Sequence, residues 1–146
     1  MKNPMRIIGG VVAAFAFIFA FDWGWHGVLM HDSYEATQSL WRSKEAMSEN
    51  MWAMILGQFL YALFFTVFFS RYACMQKKCG GVRFGLWIGL ILGACSIGSY
   101  AYLPLDSMQI PVMWAVAEVL RAGGVGAVLG LVFCEKSACQ EKGTCH

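Results

Sequence analysis

Asp22 and His26 lie four residues apart in an apolar run from Ile7 to Met30, where they are the only charged side chain and the only histidine. Gln58 interrupts another apolar run, and Glu118 and Arg121 interrupt a third. Groups of these types can build a charge-assisted network. Carboxylates accept, a guanidinium donates through a rigid fork and keeps its charge, and an imidazole does either. The same set can hold and exchange a proton. A second chemistry-bearing group consists of thiols: Cys74, Cys79, Cys134, Cys139 and Cys145, with His146 beside the last. Brought together, they would suit a soft metal such as zinc or copper(I).

The elements that must position these groups are membrane helices. The 146 residues are 58% hydrophobic and 14% charged, with a mean hydropathy of +0.54, where a soluble domain carries about 25% charged residues. That balance cannot clothe a globular surface in polar groups, so the lipid bilayer is the expected partner. No basic stripe exists to track phosphates, which excludes nucleic acid. A hydrocarbon core of about 30 Å needs roughly 20 apolar residues, and four stretches qualify, at about 7–30, 51–69, 84–103 and 110–133. Arg6, Arg71, Arg83, Pro104 and Pro111 mark their ends, and Trp23, Trp25, Trp52, Tyr100, Tyr102 and Trp114 gather toward one set of ends as an aromatic belt. The expected fold is an all-α, four-helix transmembrane bundle over residues 1–133, followed by a cysteine-bearing cytoplasmic tail at 134–146. Lys2 and Arg6 before an apolar run, with Ala14-Phe15-Ala16 as a small-residue site, mimic a signal peptide. The run continues well past Ala16, which reads as an uncleaved first helix.

Basic residues set the expected orientation. Lys2, Arg6, Arg71, Lys77, Lys78, Arg83, Lys136 and Lys142 fall on one side, and Arg42 and Lys44 on the other. The positive-inside rule then puts both termini in the cytoplasm, with the inner (plasma) membrane of a bacterium as the location. On the outer side, the stretch His31 to Met47 reads as a short interfacial helix. Asp32 and Glu35 form a capping-box pattern, and Tyr34, Thr37, Leu40, Trp41 and Met47 share one face, with Trp41 in the headgroups. The alternative is a lid over a site between the helices.

Depth follows from the rise of a helix. Asp22 lies roughly 12 Å below the outer end of the first span, Gln58 roughly 10 Å into the second, and Glu118 roughly 12 Å into the fourth. Ser96 and Ser99 of the third span fall near the same level. A charge near the bilayer centre costs about 2.5–3.5 kcal/mol even on lenient scales, so these groups are expected to pair rather than face lipid. Glu118 and Arg121 are three apart on one helix face. The expectation is an Asp22–Arg121–Glu118 network flanked by His26 and Gln58. With both carboxylates ionised, one negative charge is left over, or a proton is held. Two readings stay open: polar glue that sets helix register, or a proton or solute pathway.

Gly85, Gly89 and Gly93 recur every four residues on the third span, and Gly126 and Gly130 on the fourth. Small residues at this spacing let helix backbones approach closely. Cys95, inside the third span, reads as a small core residue. The other cysteines fall on the cytoplasmic, reducing side, which argues against disulfides and against an outward-facing thiol oxidase. No two histidines sit on facing helices at one depth, so a bis-histidine haem is not expected.

Trp23-Gly-Trp-His-Gly-Val-Leu-Met30, Tyr34-Glu-Ala-Thr37, Leu40-Trp-Arg42, Met51-Trp-Ala-Met54, Gly85-Leu-Trp-Ile-Gly89 and the Leu103-Pro104 break resemble a group of small bacterial four-helix inner-membrane proteins. The likeness covers residues 7–133, implies the four-span topology and carries no established activity with it. Size and the cysteine tail also give a superficial likeness to small mercury importers. Those bear a paired cysteine motif in the first helix, where this chain has Asp22 and His26. No nucleophile with its base, phosphate loop or cofactor motif appears. The leading expectation is a non-catalytic protein, alone or as an accessory subunit or scaffold of a larger membrane complex or a homo-oligomer. The alternative is a small transporter, proton-coupled through the ionic layer or passing a soft metal to the cytoplasmic thiols.

Overall fold

The computed structural model describes residues 4–75 and 80–133. Its helices are Pro4–Gly24 (α1), His31–Ala36 (α2), Lys44–Glu49 (α3), Met51–Met75 (α4), Gly81–Gly98 (α5) and Gln109–Phe133 (α6). A π-helical turn, Trp25–Leu29, prolongs α1, and single 3-10 turns occupy Gln38–Leu40 and Ser99–Ala101. With these turns, α1, α4, α5 and α6 supply four apolar stretches of 21 to 26 residues, each long enough to cross a membrane. The architecture is thus the expected all-α bundle of four spans, and the first loop carries short helices. Several bounds differ from the hydropathy reading, since α1 starts at Pro4, α4 runs past Phe69 to Met75, and α5 starts at Gly81 and ends, with its 3-10 turn, at Ala101. Helical hydrogen bonding continues where apolarity stops, because a helix end can carry Arg71 or Arg83 into the headgroups.

α6 is the hub, packing on α1, on α4 and most extensively on α5, while α1 also packs on α4. The contact with α5 is backbone against backbone. A Cβ placed on Gly81 or Gly85 would run into the carbonyls of Gly126 and Ala122, and one on Gly89 would meet Val119 and Glu118. Gly93 stands over Ala115 in the same way, and Gly126 over Gly81. Gly81 belongs to this seam although hydropathy placed it outside the span, and Gly130 sits more loosely, since a Cβ placed on it would stand 3.9 Å from the Gly81 Cα. Lipid is as apolar as leucine, so close contact and dispersion hold such a seam together.

Two apolar clusters bracket the polar level. The larger joins Val11, Ala14 and Ile18 of α1, Ala62, Phe65 and Phe69 of α4, and Ala122, Val125 and Leu129 of α6. α5 reaches α4 near this end, where Phe84 meets Phe65 and Phe69 edge-on, ring centroids 5.5 Å apart in each case. The smaller cluster, at the loop end, centres on Met30, Leu105 and Ile110. At the loop end of α4, residues 51–57 are all exposed, and Gln58 is its first buried side chain.

Three side-chain expectations change. Cys95 is exposed on the outer face of α5, because the α5 core face is given over to glycines. Asp32 caps nothing. α2 starts at His31, two residues earlier than that cap requires and without a side-chain cap, and it is Ser43 that caps α3 by accepting from the Ala46 N–H at 3.3 Å. Trp41 turns inward instead of toward headgroups, against Tyr34 and Trp114, with its Nε1–H donated to Thr37 Oγ1 at 2.9 Å. Of the aromatic belt, Trp23, Trp52 and Tyr102 are well exposed, while Trp25 and Trp114 pack on the loop-end cluster.

Gly85→Leu should destabilise the detergent-solubilised protein by at least the about 1–3 kcal/mol typical of overpacking. Gly9→Leu, where a Cβ meets nothing within 4 Å, should leave the thermal transition within a few degrees of the parent. Equal effects in a thermal melt would show that the seam is not tight.

Candidate functional site

The polar level is built on Arg121, midway along α6. Its Nη1 donates to Asp22 Oδ2 at 3.0 Å and to Oδ1 at 3.3 Å, joining α6 to α1. Its Nη2 donates to both carboxylate oxygens of Glu118, one turn away on the same helix. Gln58 brings in α4, its Nε2 donating to Asp22 Oδ2 at 2.9 Å. The guanidinium carbon lies 4.9 Å from the centroid of the Tyr61 ring, close enough for a cation–π contact. Side-chain exposure is 15% for Arg121, 13% for Asp22 and 21% for Glu118, so the pairs are only weakly screened. Arg121 Nε, Gln58 Oε1 and Tyr61 OH are buried without a hydrogen-bond partner among the described residues. If both carboxylates are ionised, the cluster carries one more negative than positive charge.

His26 does not join this network directly. A helical register would set it over Asp22, but the π turn closes there with the Met30 N–H donating to Trp25 O at 2.9 Å. One extra residue in a turn rotates the chain beyond it, here from Met30 onward, by about 100°. The chain then doubles back as α2 and lays Tyr34 across the bundle end. Tyr34 OH lies 2.7 Å from His26 Nδ1 and receives the Trp114 Nε1–H at 2.7 Å. An indole only donates, so one hydroxyl lone pair is taken, and the tyrosine proton is free for His26 Nδ1 in preference to Met30 Sδ at 3.6 Å. Burial raises the Tyr34 hydroxyl above its ordinary range, which keeps that proton in place at neutral pH. By this assignment His26 carries its own proton on Nε2.

Cavities meet at this level. One of about 600 Å³ lies between α1 and α4, with Asp22, Gln58, Tyr61 and Arg121 in its wall. A smaller one of about 320 Å³ lies on the Glu118 side, walled by His26, Tyr34, Ser96 and Trp114 as well. Above them a vestibule of about 450 Å³ sits under the first loop, with Arg42 and Lys44 beside aromatic residues Tyr34, Trp41 and Trp114. His26 touches all three.

Asp22, Gln58, Glu118 and Arg121 are therefore brought within hydrogen-bonding distance, while His26 is bound one step away. Ser96 walls the smaller cavity, and Ser99 Oγ donates to Ser96 O at 2.6 Å. Tyr34, Tyr61 and Trp114 were not singled out for the site by sequence. The spacing held a signal for two of them, since Tyr61 is three residues past Gln58 and Trp114 four before Glu118, each on the same helix face. The proposed metal ligands Cys79, Cys134, Cys139, Cys145 and His146 lie outside the described residues, and of Cys74 only the backbone is described, near the end of α4. Among the described residues no group of three or more His, Cys, Asp or Glu side chains could hold a metal ion.

Removing one partner of a buried pair strands a charge. Arg121→Ala should cost about 3–5 kcal/mol, and adding Asp22→Asn should recover part of that loss in a thermal melt. Additive effects would sink the shared-guanidinium account. Tyr34→Phe strips the shared partner from His26 and Trp114 at a cost of about 1–3 kcal/mol. It should speed amide hydrogen exchange over residues 31–50 while leaving α5 and α6 unchanged. No protein-family model, curated protein or solved structure matches the chain, so the likeness to small bacterial four-helix membrane proteins stands on the quoted residues alone.

Proposed function

We propose that this polytopic membrane protein binds and passes a proton or a small cationic solute at the Asp22–Arg121–Glu118 cluster, with the first loop as its cover. One observation carries the reading: the two carboxylates that share Arg121 each wall a different cavity, and His26 touches both. Polar glue would be served best by packed surroundings, because empty space beside a buried charge forfeits contacts and pairing. Cavities on either side let a cation or proton reach one carboxylate and leave from the other. The leftover negative charge supplies the affinity, and Arg121 prevents the pair from becoming a deep trap.

In this reading the protein is not an enzyme. It lies in a bacterial inner membrane with both termini cytoplasmic, supported by eight basic residues on the terminal side against Arg42 and Lys44 on the loop side. The vestibule and the Tyr34–His26 contact then face outward.

A second reading, an accessory subunit of a larger membrane complex, is favoured by α5. Nearly all its packing is against α6, so Leu86, Trp87, Leu90 and Ile91 are left to lipid or to another protein. Native mass spectrometry of gently extracted protein separates the two, because a stoichiometric larger partner would promote this reading.

Reconstituted in liposomes under a pH step, the protein should pass protons faster than protein-free vesicles. Glu118→Gln and Asp22→Asn should each lower that flux by about tenfold or more, since each removes one of the two ionisable acids. Flux equal to that of empty vesicles, or unchanged in both variants, would overturn the pathway.

A further inference from the structure

The loop between α1 and α4 sorts its charges. Its only basic residues of the Lys and Arg type, Arg42 and Lys44, both line the vestibule of about 450 Å³ beneath it. Of its carboxylates, Asp32, Glu45 and Glu49 stay out of that wall, and Glu35 alone is in it. Glu35 Oε1 lies 3.7 Å from Nε2 of His31, which lines the same cavity. Glu45, although next to Lys44, is held below the ordinary carboxylate range first by its own backbone N–H and then by Ser43. Among the described residues, the side chains of Arg42 and Lys44 make no ion pair and no hydrogen bond. With His26 and His31 neutral, the wall carries one more positive than negative charge.

The aromatic part of the wall has little polarity to offer. Tyr34 OH is shared between His26 Nδ1 and the Trp114 Nε1–H, and the Trp41 Nε1–H goes to Thr37 Oγ1. The three rings therefore present apolar surface with their polar atoms already answered, and Met47 adds to it. His31, Glu35, Gln38, Arg42 and Lys44 are all exposed, so the open side faces water rather than lipid. An apolar wall of this size beside unpaired cations suits an organic anion with a flat apolar body. A cation could stack on the same rings, but it would meet Arg42 and Lys44 with only Glu35 to balance them. A bare inorganic anion would leave the rings uncovered.

We infer that the vestibule is a binding site for small aromatic carboxylates, which enter from the aqueous side and are held by Arg42 and Lys44. The inference goes beyond the pathway reading and does not depend on it. A bound carboxylate also offsets the positive rim that a cation on its way to Glu118 has to pass.

The test is equilibrium binding of tritiated naphthoate to the full chain in phosphatidylcholine nanodiscs, corrected for partition into empty discs. The wild-type protein should show saturable one-to-one binding, and uncharged naphthamide should compete at least about tenfold less well. Arg42→Gln combined with Lys44→Gln should lower the affinity by about tenfold or more. That variant should keep the parent melting behaviour, because both side chains are exposed and unpaired. Glu35→Gln removes the opposing charge and should tighten binding by about twofold or more. No saturable binding to the wild type, unchanged affinity in the double variant, or weaker binding in Glu35→Gln overturns the inference. Competition by naphthylmethylammonium as strong as that by unlabelled naphthoate overturns it as well. Binding that persists in discs containing phosphatidylglycerol supports a ligand from the aqueous phase, whereas its loss there assigns the wall to a lipid phosphate and overturns the carboxylate.

Discussion

A guanidinium inside a hydrocarbon layer must be neutralised within the protein, and most of the fold can be understood from how Arg121 meets that demand. Glu118 on its own helix satisfies one edge of the fork, and Asp22 on α1 satisfies the other. The first pairing needs only helical spacing. The second fixes the depth and rotation of α1 against α6, because an Asp side chain is short and the bond is directional. Gln58 then ties α4 to Asp22. Three spans are registered at one level by four side chains, and the apolar clusters above and below fill in around them.

The fourth span is placed by different physics. α5 takes no part in the ionic cluster and is held by glycines whose missing side chains let it lie on the α6 backbone. With α6 occupied on that side, α1 and α4 share its remaining surface. Residues 51–57 of α4 are exposed, and Gln58 is its first buried side chain. Its first two turns wall the cavity at Asp22 together with α1, so the same geometry that pairs the charges leaves one side of them reachable. The first loop closes the bundle end through Tyr34 and Trp41, whose polar atoms are answered by His26, Trp114 and Thr37.

Much of this is legible in residue order. The four spans, the shared level of Asp22, Gln58, Glu118 and Arg121, and the α5–α6 seam all follow from spacing along the chain. In a bilayer, position along a helix is depth, at about 1.5 Å per residue. Charges that cannot face lipid must find one another at the depth where the sequence puts them. Glycines four apart likewise declare a close helix contact without saying which neighbour meets them.

Rotation about each helix axis is not legible in that way. Lipid and a protein core are equally apolar, so hydropathy does not tell a lipid-facing Cys95 from a buried one. The π turn at Trp25–Leu29 has no signature in residue type, and His26 at its start hydrogen-bonds Tyr34 and not Asp22. Trp41 could lie in headgroups or turn inward with the same amphipathic pattern. Only the packing partners, Tyr34 in the same loop and Trp114 from a distant part of the chain, select the second. Residue order alone sets which groups lie at which depth, because the bilayer converts chain position into energy. Which of them touch, and where space is left beside them, is settled by packing, because both depend on the angles at which helices of similar greasiness come to rest.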